Sequence, residues 1–262
     1  MTEPNLDRYE VFAVRYATRM APAHDWFIGA SADEPDRRMD YFAWVVRNSS
    51  RTIVLDTGFN AEVAAKRGRD YLRSPVDGIR ALGIDPAKVE QVVLSHMHWD
   101  HVGNTTQFPN ATFCIQAREM AFYTGGAVRH GRFRRSIETE DIVNLVRANY
   151  DGRLRFNEGD EELAPGISLH LVGGHTIGSQ IMRVNTARGW VVLASDATHS
   201  YDEIEQQRPF PTLHNLEEMC KGWETVNRLA DSPAHVIPGH DALVMERYPA
   251  IGPGEPLIVR LA

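Results

Sequence analysis

The stretch Val92-Val93-Leu94-Ser95-His96-Met97-His98-Trp99-Asp100-His101 decides the fold. Its apolar start reads as a strand, so the histidines and the aspartate fall where that strand ends and a loop or helix begins. Imidazole and carboxylate are the ligands that zinc and its first-row neighbours prefer. A strand end can hold them rigidly while the following turn aims them at one point. Four such groups packed together would repel, or waste hydrogen-bonding capacity, unless a cation sat among them. A histidine-rich surface turn is the bland alternative. The H-x-H-x-D-H spacing is far more specific than a short glycine motif and weighs against it.

Working outward, other apolar runs stop on residues of the same chemistry. Upstream is Thr52-Ile53-Val54-Leu55-Asp56-Thr57-Gly58. Downstream are Val172-Gly173-Gly174-His175-Thr176, Val191-Val192-Leu193-Ala194-Ser195-Asp196 and Val236-Ile237-Pro238-Gly239-His240. In this order, from about residue 41 to about residue 241, the chain resembles the metallo-β-lactamase superfamily of hydrolases. The resemblance implies an α/β fold, a four-layer αββα sandwich with metals at one edge of the paired sheets. It implies two divalent cations, zinc foremost, with manganese, iron and cobalt left open by the nitrogen-and-oxygen ligands. His96, His98 and His175 would hold the first; Asp100, His101 and His240 the second; Asp196 would bridge them. Asp100 would orient the attacking water and shuttle its proton.

Within that superfamily, the D-T-G strand, the H-x-H-x-D-H-x-G-N run and Gly174-His175-Thr176-Ile177-Gly178-Ser179 are most similar to the N-acyl homoserine lactonases and related small-lactone hydrolases. Many of these place a tyrosine three residues after the bridging aspartate. Here that position is His199, which could polarise the substrate carbonyl, protonate the leaving alkoxide, or orient Asp196. Tyr201 is close by but off register. Aspartate at 196, where β-lactamases of this fold often use cysteine, argues against antibiotic hydrolysis, and histidine at 98 argues against the flavodiiron branch. A glyoxalase II-like thioesterase, or another ester or phosphodiester hydrolase, is the enzymatic alternative. Only Arg247 and Arg260 are basic after His240, which weakens the thioesterase. A metal-binding sensor or scaffold without turnover is the non-enzymatic one, and the complete ligand set argues against it.

The chain has 262 residues, 43% hydrophobic and 24% charged, which suits one globular domain with a large core. Its net charge of -7 disfavours nucleic acid as a partner. Arg129, Arg132, Arg134 and Arg135 form a basic cluster, read as a solvated loop in preference to a clamp for an anionic substrate. The expected partner is a small lactone or ester. Oligomeric state is open, a homodimer being common in the group. Cys114 and Cys220 read as buried free thiols. Met1 to Asn5 show no signal peptide, and no apolar run is long enough to span a bilayer, so a cytoplasmic location is expected.

Along the chain, strands are predicted at Tyr9–Tyr16, Tyr41–Arg47, Arg51–Asp56, Gln91–Leu94, Gly166–Val172, Gln180–Asn185 and Trp190–Ser195, with a loop at Ala30–Arg38. A helix starts at Ser74-Pro75 and ends at Leu82-Gly83. Another spans Thr139–Tyr150, its face formed by Ile142, Leu145, Val146 and Asn149. A third, Asn215–Ala230, buries Leu216, Met219, Cys220, Trp223, Val226 and Leu229. The block at about 125–151 reads as a helical insertion able to roof the site or simply to pack beside it. Trp99, Trp26, Phe27, Phe122 and Tyr123 are the candidate substrate-binding aromatics, although each residue type is more often core. His24 is a weaker candidate. His130, His170, His214 and His235 have no motif support.

Overall fold

The computed structural model describes residues 6–252 and 257–262; Met1–Asn5, on which the signal-peptide reading rested, lie outside them. Thirteen strands among the described residues form two sheets. The first holds β1 (Glu10–Ala21), β2 (Arg37–Arg47), β3 (Thr52–Leu55), β4 (Asp70–Tyr71), β5 (Gln91–Val93), β6 (Thr112–Gln116) and β7 (Leu154–Asn157). The second holds β8 (Glu161–Ala164), β9 (Ile167–Leu171), β10 (Gln180–Thr186), β11 (Gly189–Ser195) and β12 (Val236–Pro238), and β13 (Ile258–Arg260) returns to the first. The first sheet runs β13-β1-β2-β3-β5-β6-β7, with β4 on β1; the second runs β12-β11-β10-β9-β8.

Alternating side chains explain the layers. Val11, Ala13, Phe42, Trp44, Ile53, Leu55 and Val93 face the second sheet's Leu169, Met182, Val184, Val191 and Leu193 in one core. Their neighbours Phe12, Val14, Val45, Val54 and Val92 point the other way. There they meet the helices Pro75–Ala81, Ala117–Thr124 and Thr139–Tyr150 through Ile79, Met120, Ile142 and Leu145. On the far face of the second sheet, Ile181, Val192 and Ala194 pack on Val226 and Leu229 of the helix Leu216–Leu229. The result is the expected αββα order.

Several boundaries differ from the sequence reading. The first strand continues to Ala21 and the second begins at Arg37, because a long antiparallel pairing with a bulge between Arg15 and Ala17 extends both. Asn215 caps its helix by accepting from the Glu218 amide, as the sequence suggests. Cys220, however, is exposed and Leu216 is 47% exposed, so the buried stripe runs Met219, Gly222, Trp223, Val226, Leu229. Cys114 is buried and free. Asn149 faces solvent, and Asp141 and Ala148 join Ile142 and Leu145 instead. No helix among the described residues is long and apolar enough to cross a membrane.

Candidate metal centre and cleft

All the expected ligands follow the carboxyl ends of strands that run the same way. β3 and β5 are parallel, as are β11 and β12, and β9 is antiparallel to β10, which is antiparallel to β11. His96 to His101 follow β5, His175 follows β9, Asp196 follows β11 and His240 follows β12. Strand ends of the two sheets therefore meet at one edge of the sandwich, the position where open α/β sheets place ligands. A backbone hydrogen bond from the Gln180 amide to the Ser95 carbonyl, 3.0 Å, stitches the sheets together there. Gly239 permits a close approach: a Cβ on it would lie 2.7 Å from Asp196 Oδ1 and from the Ser195 carbonyl.

Five histidines each tie one ring nitrogen and turn the other inward. His96 Nδ1 meets Ser95 Oγ at 3.0 Å, and His98 Nε2 meets Tyr123 Oη at 2.9 Å. His175 Nδ1 donates to the Thr212 carbonyl at 2.6 Å, His101 Nδ1 to Asp56 Oδ2 at 2.8 Å, and His240 Nδ1 to the Asp40 carbonyl at 2.9 Å. Such partners fix tautomer and ring orientation in metal sites. On the inner side, His175 Nε2 lies 3.1 Å from His96 Nε2 and 2.8 Å from His98 Nδ1. Ligand nitrogens ~2.0–2.1 Å from a tetrahedral zinc would be roughly 3.3 Å apart, so the spacing suits a metal. Burial first, then neighbouring histidines, holds His96 and His98 well below the usual histidine range, and burial takes His175 down to about 3; all three are neutral, as ligands must be.

The second half of the cluster carries the charge. Asp196 reaches His101 Nε2 at 3.4 Å and His240 Nε2 at 3.2 Å through Oδ1, and His175 Nε2 at 3.3 Å through Oδ2. Asp100 lies 3.7 Å from both His101 and His240. Burial works against the Asp196 charge, but His240, His101 and His199 hold its carboxyl well below the usual range. His101 Nε2 and Asp196 Oδ1 are sealed from solvent without a hydrogen bond. Buried groups of this kind are rarely left unsatisfied, and a cation between them answers the deficit. The donor set therefore fits two divalent ions.

Two buried carboxylates that the sequence reading gave no role brace the loops. Asp56, at φ 62°, accepts from the Ser95 amide and Ser95 Oγ, each at 2.7 Å, as well as from His101. Glu119 accepts from the Met97 amide at 2.9 Å, Thr176 Oγ1 at 2.8 Å and the Gly178 amide at 2.7 Å, tying the His96–His98 loop to the His175 loop. Burial pushes its carboxyl up to about 7. Asp56 was visible as the end of the D-T-G strand; nothing local to Glu119 marked it.

His199 stacks on Phe210 with ring centroids 3.6 Å apart, and its Nε2 lies 3.0 Å from Asp196 Oδ2. Its Nδ1 lies 3.9 Å from Glu203, so both nitrogens face carboxylates. Tyr201 is buried away from the cleft beneath Arg247. The tyrosine that does line the cleft is Tyr41, whose ring sits 5.1 Å from that of His240.

The cleft above the ligands has a volume of roughly 450 Å³ and is walled by Tyr41, Trp99, Arg69, Arg135, Ser136 and Thr212. Of the expected substrate-binding aromatics, Trp99 lines it. Tyr123 and Phe122 border a side pocket that opens off His98 and His175. Trp26 and Phe27 are buried with Tyr16 and Phe59 behind the wall, and neither lines the cleft. The 125–151 block divides. Ser136 reaches the cleft and accepts from the Trp99 amide at 3.0 Å, whereas Ile142, Leu145 and Ala148 anchor the helix in the core. His24 is exposed, and His170 and His235 are satisfied by Asp160 and Ser232.

Comparison with known proteins agrees with this geometry. Residues 37–245 match the model of the metallo-beta-lactamase superfamily. An N-acyl homoserine lactonase, AttM, of Azorhizobium caulinodans is 32% identical over 172 residues, 62% of each chain. The N-acyl homoserine lactonase AiiA of Bacillus thuringiensis subsp. kurstaki is 29% identical over 136 residues, 52% of this chain and 49% of that one. The matches thus span less than two thirds of these relatives. A crystal structure of a quorum-quenching N-acyl homoserine lactone lactonase superposes with a TM-score of 0.76 at 18% identity, covering 90% of this chain and 94% of that one. AidC, a dizinc quorum-quenching lactonase, superposes at 0.72 with 17% identity, covering 91% and 89%.

Proposed function

From a chain that belongs to the metallo-β-lactamase superfamily, we propose a hydrolase that opens a small lactone at a dinuclear centre. The observation that carries this reading is the convergence of five braced histidines with Asp100 and Asp196 at the floor of a cleft sized for a small molecule. The likeness to N-acyl homoserine lactonases supports lactones as the substrate class.

His96, His98 and His175 would hold one ion, Asp100, His101 and His240 the other, and Asp196 both, with zinc the expected metal. When bound, such ions supply Lewis-acid polarisation and a water of lowered pKa. Asp100 would take a proton from the water attacking the ester carbonyl. As the ring C–O bond breaks, it returns that proton to the departing alkoxide, giving a hydroxy acid. With both nitrogens turned to carboxylates, His199 serves to position Asp196. Trp99 packs against the ring. A free, exposed thiol at Cys220 suits a reducing, cytoplasmic setting.

The test is a pH-indicator assay of the metal-loaded protein against lactones, acyl homoserine lactones among them, beside thioesters and phosphodiesters. Chelator-sensitive ring opening is expected. Turnover confined to thioesters or phosphodiesters would overturn the lactone assignment.

A further inference from the structure

The chain is acidic overall, yet four arginines, Arg19, Arg67, Arg69 and Arg135, line the cleft. Two are neutralised: Arg19 pairs with Asp25 at 2.8 Å and Arg67 with Glu138 at 2.6 Å. The other two are not. Arg69 is held by neutral acceptors, Tyr41 Oη at 2.7 Å and the carbonyls of Arg67 and Gly68, with its guanidinium 5.4 Å from the Trp99 ring. Arg135 is exposed, lines both the cleft and the side pocket beside it, and among the described residues makes no ion pair. Tyr41 in turn contacts His240, so Arg69 sits one aromatic ring away from the ligands.

The apolar alternative is poorly provided for. The side pocket between Phe122, Phe133, Leu213 and His214 leaves about 20 Å³, room for little more than one water. Beside it lie Arg69, whose Nη2 takes no part in the bonds above, and Arg135, neither with a carboxylate partner, at a site whose ions would add further positive charge. Arginine forks recognise planar oxyanions in two-point fashion.

We propose that the substrate carries an anionic group, a carboxylate or a phosphate, beyond the scissile ester, and that Arg69 and Arg135 bind it. This rests on the lactone reading above and narrows it to compact, charged lactones. Of the basic cluster at 129–135, Arg129 and Arg132 donate to backbone carbonyls and do not line the cleft, whereas Arg135 does.

The test compares γ-butyrolactone-γ-carboxylate, its carboxamide and the analogue with a phosphomethyl group at the same carbon. They are assayed on the metal-loaded wild type, Arg135→Gln and Arg69→Gln. Each substitution is expected to raise KM for the charged lactones about tenfold, the loss of one charge-assisted hydrogen bond, with kcat little changed and the carboxamide unaffected. The stronger of the two charged substrates identifies the oxyanion. Binding of hydroxyglutarate against γ-hydroxybutyrate, by calorimetry, gives a readout independent of turnover. If no lactone is hydrolysed but the extra carboxylate tightens binding through Arg135, the clamp stands and the lactone reading falls. Equal hydrolysis of charged and neutral lactones, insensitive to both substitutions, would overturn the clamp alone. Equal binding of the two hydroxy acids without turnover would overturn both.

Discussion

Asp56 Oδ2 lies 2.8 Å from His101 Nδ1, and the same carboxylate receives the Ser95 amide and both the Ser95 and Ser195 hydroxyls. One side chain at the end of β3 therefore sets the strand ends of both sheets and the ring that faces Asp196. Asp56→Asn should leave the fold intact and weaken metal affinity by about 10–100-fold, measured by chelator competition. Unchanged affinity would remove Asp56 from the centre.

His96→Ala and Asp100→Asn should both abolish hydrolysis but differ in metal content. The first deletes a ligand nitrogen from a cluster of three and should lose metal. The second keeps the shape of its side chain, removes the proton carrier and should retain most of it. Elemental analysis of the two proteins decides. Full turnover in either contradicts the assigned roles.

His199→Phe should preserve the stack on Phe210 while deleting the contact to Asp196. The expected result is a kcat at least tenfold lower with metal retained and KM little changed, checked by steady-state kinetics beside elemental analysis. An unchanged rate would leave His199 a packing residue.

Gly239→Ala should be costly although the change is one methyl. The new Cβ would press on Asp196 Oδ1 and the Ser195 carbonyl. A loss of about 1–3 kcal/mol in denaturant unfolding is expected, together with weakened metal binding. A stable, fully loaded variant would show that the strand ends have slack.

Asp141 provides a pH signature away from the ligands. Burial, then the Glu138 charge, pushes its carboxyl up to about 7 from an ordinary 3.8, and Oδ2 has no partner. The folded chain thus keeps this proton where the unfolded chain has released it. The associated stability is present at low pH and is lost as pH rises through about 7. Relative to Asp141→Asn, the wild type should lose roughly 2–4 kcal/mol between about pH 4 and pH 8 in denaturant unfolding. Parallel pH profiles would contradict the assignment.

The sequence was most legible where one pattern had one cause. Apolar runs ending on His or Asp read as strand ends turned to a shared centre, and the seven residues expected as ligands do lie together there. The helix at Thr139–Tyr150 was readable from its spacing. The helix Ala61–Arg67 was missed because Ala-Glu-Val-Ala-Ala-Lys-Arg has no apolar stripe, although Asn60 and Gly68 mark its ends with a side-chain cap and a left-handed turn. Cys220 was misplaced because a stripe drawn at helical spacing was taken too wide. Glu119, Arg19, Arg67 and Arg69 escaped notice, and Arg135 was read as part of a solvated loop, for a deeper reason: their places at the site come from segments distant in sequence, which no local pattern records.

The most direct test of the dinuclear centre is to titrate metal-free protein with zinc while following lactone hydrolysis and bound metal together. Activity should be absent at the start, rise with added metal and level off at about two ions per chain. Hydrolysis without metal, or a plateau at about one ion, would contradict the account.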